Sequence, residues 1–328
     1  MSNLASINRV SRIIRGAKHA QKRIVLTGLS LLCVLSPFAA GTASAATTAA
    51  FHTPVIIVHG YGSCQNVSTT MEGPFAEQYY TGTAASDLHE ISYYGCDVNG
   101  ESIQGYGPLN NPNCVSSNQV LNLLCPVDLR SPDNDYLNTD MRRFSYELAW
   151  YLYNNYGAYR PVDLVGHSMG GLIITYALQQ IAAHNVLYPP ALSVQTVVTF
   201  STPFAGANLG TSTLQARQMA PSGSDSIIPG ILAAGAKQMY AGKYTIWAAE
   251  GSSAGCDVIP ASSTLALHGE TFVADYASPC YGHVDYLWDA FKPADATVKL
   301  NGVTRTNGYH SLDFMHYLIS YQENLYNK

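Results

Sequence analysis

The sequence predicts an α/β fold, with a mostly parallel central sheet flanked by helices in a single domain. Three observations carry that expectation. The stretch Val162–Leu172, V-D-L-V-G-H-S-M-G-G-L, passes from four residues of strand character directly into a glycine-flanked turn. An apolar pattern at helical spacing follows in Leu172, Ile173, Tyr176, Ala177 and Ile181. Short apolar, β-branched runs recur at Pro54–Val58 and Val194–Phe200, with an amphipathic helix pattern at Met141–Asn155 between them. The chain's 328 residues are enough for one large core.

The first 45 residues do not read as part of that fold. Residues 1–23 hold six basic side chains (Arg9, Arg12, Arg15, Lys18, Lys22, Arg23) and no acid. An uncharged apolar run follows from Ile24 to Ala40, and Ala43-Ser44-Ala45 offers an A-x-A cleavage site. This pattern predicts a secretory signal peptide over 1–45, a catalytic domain over 46–328 and an extracellular location, the alternative being an N-terminal membrane anchor. Removing those six from the 17 Lys and Arg leaves 11 against 22 Asp and Glu, an excess of eleven acids. Such a surface argues against nucleic acid and anionic membranes as partners, and leaves neutral lipid and small esters open. Cys33 falls within the leader. The six that remain (Cys64, Cys96, Cys114, Cys125, Cys256, Cys280) suit three disulfides in an exported chain, and none has metal-ligand spacing.

Taken in order, Pro54–Val58 is a buried strand ending in His59-Gly60-Tyr61-Gly62, and Glu90–Tyr94 is the next. Residues 95–140, rich in Asn, Gly, Pro and Ser, are too long for an ordinary connection and read as an insertion, either a lid or a surface excursion. In the Met141–Asn155 helix, Phe144, Leu148, Tyr151 and Leu152 share the apolar face, with Arg142, Arg143 and Glu147 away from it and Thr139 or Asp140 as cap. After the Val194–Phe200 strand, Ala216–Ser226 is expected as loop, and Ile227–Tyr240 as an apolar helix that packs as core or forms a flap. Strands are expected at Lys243–Ala249 and Glu270–Ala274, a hairpin with an Asn-Gly turn over 298–306, and a closing helix at Ser311–Tyr326.

The chemistry lies in the turn at Gly166-His167-Ser168-Met169-Gly170. A strand that turns at once into a helix lifts the Ser168 side chain clear of both, and glycines two residues either side avoid backbone collisions. The helix start turns its unsatisfied N–H groups toward whatever is bonded to the serine oxygen. This nucleophile elbow, together with His59-Gly60-Tyr61-Gly62 after the first strand, resembles the α/β-hydrolase superfamily and its lipase and esterase branch. Ser201-Thr202-Pro203-Phe204-Ala205-Gly206 is similar to that branch's T-P-H-x-G, with Phe204 in the histidine's place.

The resemblance implies an α/β-hydrolase fold and a triad in the chain order Ser168, Asp257, His283. Gly255-Cys256-Asp257-Val258 looks like the family's acid loop, and Gly282-His283-Val284 opens its post-histidine segment. Glu250 and Asp275 compete for the acid, and His310 and His316 for the base. The backbone N–H groups of Tyr61 and Met169 are implied as the oxyanion hole. His59 and His167 are expected to set loop geometry, and the 23 tyrosines are given no role. If Asp257 and His283 meet, Cys256 and Cys280 run close enough to pair; Cys114–Cys125 and Cys64–Cys96 follow as the remaining bridges. No cofactor or metal is implied.

The expected activity is hydrolysis of carboxylic esters through an acyl-enzyme, lipase-like, on a small-molecule or lipid ester, with transient contact at a lipid interface. A short-chain esterase, a phospholipase or acyltransferase and a polyester depolymerase would use the same triad. A non-catalytic binding protein on the same scaffold is the reading from another class.

Overall fold

The computed structural model describes residues 53–62, 87–94, 101–107, 136–235, 246–252, 255–267, 272–278, 282–283, 297–300 and 303–305. They belong to one compact unit that runs from Ala50 to Lys328. Among the described residues nine strands form one sheet: β1 (Val55–Val58), β2 (Leu88–Ser92), β3 (Glu101–Ser102), β4 (Val162–His167), β5 (Val194–Phe200), β6 (Ile246–Gly251), β7 (Phe272–Ser278), β8 (Thr297–Leu300) and β9 (Val303–Arg305). Their order is β3-β2-β1-β4-β5-β6-β7-β8-β9. Pairing is parallel from β3 through β7, and β8 and β9 add an antiparallel hairpin at one edge. The expected α/β class is the one observed.

That order positions the site. The chain steps outward from β1 through β2 to β3, returns to β4 on the other side of β1, and then steps outward the opposite way. The order therefore reverses between β1 and β4, and such a switch point, at the carboxyl ends of the strands, is where open α/β sheets bind their ligands. The turns at the carboxyl ends of β1 and β4 are the two glycine motifs. The ladder is level there: Val58 pairs with Gly166, Gly166 with Thr199, Thr199 with Ala249 and Ala249 with Val273.

Burial follows strand alternation. Ile56, Val58, Leu164 and Val197 join one core cluster, while Ile57, Val165 and Val198 are equally buried on the opposite face, as a doubly covered parallel sheet requires. α1 (Met141–Tyr156) and α2 (Met169–Ala182) pack together and supply the first cluster with Phe144 and Leu148 from the one and Leu172 and Ile173 from the other. Asp140 caps α1, accepting the Arg142 N–H at 2.9 Å.

Several elements depart from the sequence reading. Arg143 and Glu147 are not on a solvent face of α1: both are 3% exposed and form an i,i+4 ion pair at 3.1 Å. Glu147 also accepts the Gly105 N–H at 3.3 Å. Burial raises its carboxyl above the usual range, against the lowering effect of Arg143. The 95–140 segment is not wholly an excursion, because Glu101 and Ser102 extend the sheet beside β2. A short helix, α3, covers Leu214–Gln218 and so takes in the start of the loop expected from Ala216 to Ser226; Thr213 caps it. The apolar helix α4 spans Ile228–Ala234 and stops at Gly235, whose φ of 70° ends it. β7 continues past Ala274 to Ser278 because β8 pairs along it, so Asp275 is a strand residue rather than a loop one. The β8–β9 pair is the expected hairpin, with its Asn-Gly turn outside the described residues, as are the expected C-terminal helix, His310 and His316.

Candidate active site

The elbow forms because β4 and α2 meet with no connecting loop. Ser168 takes φ 53° and ψ −125°, a conformation costly for a residue with a Cβ, and it is anchored by its N–H donating to Phe200 O at 2.8 Å. The flanking glycines are required by contact. A Cβ on Gly166 would lie 2.6 Å from Gly171 Cα, and one on Gly170 would lie 2.1 Å from Val58 O. The first turn of α2 thus sits directly on the end of β1. Gly60 closes the other side, since its Cβ would stand 2.9 Å from Ser168 Cβ. The His59-Gly60-Tyr61 backbone is packed against the serine.

Asp257 and His283 arrive on the segments after β6 and β7. His283 Nε2 is 2.9 Å from Ser168 Oγ, and its Nδ1 is 2.9 Å from Asp257 Oδ1. The carboxylate can only accept from Nδ1–H, so Nε2 faces the serine as the acceptor. The Asp257 side chain is 1% exposed and that of His283 24%, an acid sealed from water behind a base that borders it. Ile259 N–H donates to Asp257 Oδ1 at 2.7 Å. Of the competing acids, Glu250 sits in β6 opposite Phe200 and Asp275 in β7 opposite Gly251, both within the sheet ladder.

Two residues around this chain were not singled out from sequence as parts of the site. Ser201 is the first residue past β5, fully buried, with φ 49°. Its hydroxyl donates to Asp257 Oδ2 and lies 3.0 Å from His283 Nδ1, bracing the acid and base together. The only hint available in the sequence is its position at the head of the S-T-P motif. Tyr93, one of the tyrosines given no role, donates its hydroxyl to the carbonyls of His59 at 2.7 Å and Gly60 at 3.0 Å.

The two motif histidines do hold loops. His59 Nδ1 bonds Gly60 O at 3.0 Å, and its ring stacks on Tyr93 at 3.9 Å between centroids. His167 Nε2 donates to His283 O at 2.7 Å, tying the elbow to the loop that carries the base. Burial, reinforced by neighbouring His283, lowers the His167 pKa to about 3. It stays neutral, so a positive His283 at 4.9 Å between ring centroids meets no like charge from it. α3 is stitched to the same region: Tyr94 Oη donates to Gln215 at 2.6 Å, Tyr61 Oη lies 3.0 Å from Thr213 Oγ1, and Gln218 donates to Asp140 at 2.7 Å.

Cys256 is disulfide-bonded, and Cys64, Cys96, Cys114, Cys125 and Cys280 lie outside the described residues. Among the described residues, no three His, Cys, Asp or Glu side chains cluster as metal ligands.

A parallel sheet with a serine at a strand–helix elbow, hydrogen-bonded to a carboxylate-backed histidine, has the geometry of a serine hydrolase. Residues 141–234, which contain the elbow, match a family model described as "Putative serine esterase (DUF676)". The match and the fold support a hydrolase of the esterase kind. No curated protein matches the chain. Among solved structures, the chain is similar to the product of the gene lin2722 from Listeria innocua, at 14% identity and a TM-score of 0.33, over 62% of this chain and 70% of that one.

Proposed function

We propose that the protein is a secreted, lipase-like hydrolase of carboxylic esters with apolar acyl groups. The observation that carries this reading is His283 standing 2.9 Å from both Ser168 Oγ and Asp257 Oδ1. A serine hydroxyl is too weakly acidic to attack an ester unaided. In the proposed cycle Ser168 Oγ bonds to the ester carbonyl carbon as its proton passes to His283 Nε2. The C–O bond then breaks, the alcohol leaves with that proton, and the acyl group stays on Ser168. Water, giving a proton to the same nitrogen, attacks the acyl carbon; the bond to Ser168 Oγ breaks, the acid is released, and the proton passes from His283 back to Oγ. Asp257 holds the imidazole's tautomer and offsets its charge. The N–H groups of Tyr61 and Met169 would receive the oxyanion; the close packing of Gly60 on Ser168 and the start of α2 at Met169 support that assignment.

Export is supported by the basic-then-apolar leader and by the disulfide at Cys256, since such bonds persist in oxidising compartments. The apolar-acyl preference rests on the lipase-like motifs. Burial of each further methylene is worth about 0.8 kcal/mol, a severalfold gain per carbon until the pocket is full. Two measurements test the proposal. A fluorophosphonate should label the wild-type protein and not Ser168→Ala. Rates on p-nitrophenyl esters should rise with acyl length beyond acetate; a monotonic fall from acetate would move the assignment to a short-chain esterase.

A further inference from the structure

The proposed oxyanion donor Tyr61 N–H has no rigid element of its own, because it lies in the turn after β1. What holds that turn is visible one peptide bond back. The Gly60 carbonyl and the Tyr61 N–H belong to the same planar peptide unit and point in opposite directions. Whatever fixes the carbonyl therefore aims the N–H. Two groups fix it: Tyr93 Oη donates to Gly60 O at 3.0 Å, and His59 Nδ1 lies 3.0 Å from the same oxygen. A carbonyl only accepts, so His59 must carry its proton on Nδ1. The Tyr93 hydroxyl also reaches His59 O at 2.7 Å, spanning two consecutive carbonyls.

Tyr93 is itself closely packed. It is fully buried directly after β2, stacked on His59 with an interplanar angle of 13°, and packed against Tyr94 at 4.6 Å and Phe144 at 4.7 Å. Peptide rotation is otherwise the easy motion of a glycine turn, and a flipped 60–61 peptide would present a carbonyl oxygen to the oxyanion. We propose that Tyr93, acting with His59, is the positioning residue that orients the Gly60–Tyr61 peptide so that its N–H faces the reaction centre. This rests on the serine-hydrolase reading above.

The test is Tyr93→Phe, which removes the hydroxyl and keeps the ring in its stack. Sites are counted by fluorophosphonate titration, and p-nitrophenyl butyrate hydrolysis is expressed per titrated site. The expected result is a kcat lower by roughly 10- to 100-fold, less than the 10²–10³ that deletion of an oxyanion donor costs, with KM within twofold of wild type. Affinity for a trifluoromethyl ketone of matching chain length, which forms a tetrahedral oxyanion on the serine, should fall by a similar factor. Tyr188→Phe is the comparison for simple loss of a buried hydroxyl: its Oη bonds Arg142 O at 3.3 Å, away from the turn, and kcat per site should not change. If Tyr93→Phe does not fold, His59→Phe, which removes the other donor to Gly60 O, must show the same paired loss. Wild-type kcat and ketone affinity per site in the variant that folds would overturn the inference, as would an equal loss in Tyr188→Phe. Failure of the wild-type protein to take up fluorophosphonate at Ser168 would instead overturn the hydrolase reading, and the inference with it.

Discussion

Replacing His167 with Gln should flatten the acid side of the stability profile. His167 is 4% exposed, and its pKa in the folded chain is about 3 against an ordinary value near 6.5. Between those values the unfolded chain binds a proton that the folded chain refuses, so stability rises with pH. The contribution is fully present above about pH 6.5 and is lost progressively as pH falls toward 3. At pH 5.0 the unfolded imidazole is almost wholly protonated, which costs about 1.36 kcal/mol for each of roughly 1.5 pH units, or about 2 kcal/mol relative to pH 7.5. Gln does not titrate, and its amide can still donate to His283 O. The assay is calorimetric unfolding of both proteins at pH 7.5 and 5.0. Carboxylates common to both cancel in the difference, leaving wild type to lose about 2 kcal/mol more, or roughly 3–5 °C of Tm. Equal acid losses in the two proteins would refute the argument, because they would mean that His167 is protonated inside the fold.

Three further outcomes follow from the site. Asp257→Asn should lower kcat/KM by about 10⁴-fold by turning the imidazole to the wrong tautomer, whereas Glu250→Gln should leave it near wild type; the reverse pattern in ester kinetics would make Glu250 the acid. Ser201→Gly and Ser201→Ala should both lose on the order of 10-fold in kcat/KM, in keeping with one hydrogen bond to a charged group. A loss confined to Ala would assign the effect to the φ of 49° rather than to the hydroxyl. Replacing Cys256 and Cys280 with Ser should lower heat resistance and activity together, and non-reducing peptide mapping that pairs Cys256 with any other cysteine would remove that expectation.

The parts of the molecule legible in sequence are those in which backbone geometry dictates residue type. Gly166 and Gly170 are spelled out because neighbouring backbone leaves no room for a Cβ, and β-branched runs mark strands buried on both faces. Periodicity misleads where charge is buried in pairs. Arg143 and Glu147 read as solvent-facing, yet they form a buried ion pair to which Gly105, from the distant 95–140 segment, donates its N–H. A two-residue edge strand such as Glu101–Ser102 has no pattern at all. Ser201 and Tyr93 were illegible for a different reason: each acts through one hydroxyl on a backbone or carboxylate brought near only by the sheet order.

That difference tracks how each site residue is delivered. Ser168 and Ser201 each stand two residues past a rung of the same ladder, Gly166 paired with Thr199, so strand register alone sets their separation. Asp257 lies six residues past the end of β6 at Gly251, and His283 five past the end of β7 at Ser278, both beyond the paired register. Hydrogen-bond clamps take over: Ser201 Oγ and Ile259 N–H on the carboxylate, and His167 on the His283 carbonyl, with a disulfide at the neighbouring Cys256. The turn after β1, proposed to supply an oxyanion donor, has the same arrangement in Tyr93 and His59. Substitutions at the clamps should therefore act on rate through loop placement, leaving the sheet intact, while a side chain at Gly170 should disrupt the contact between β1 and α2, and one at Gly166 the contact between β4 and the first turn of α2, on which the elbow itself depends.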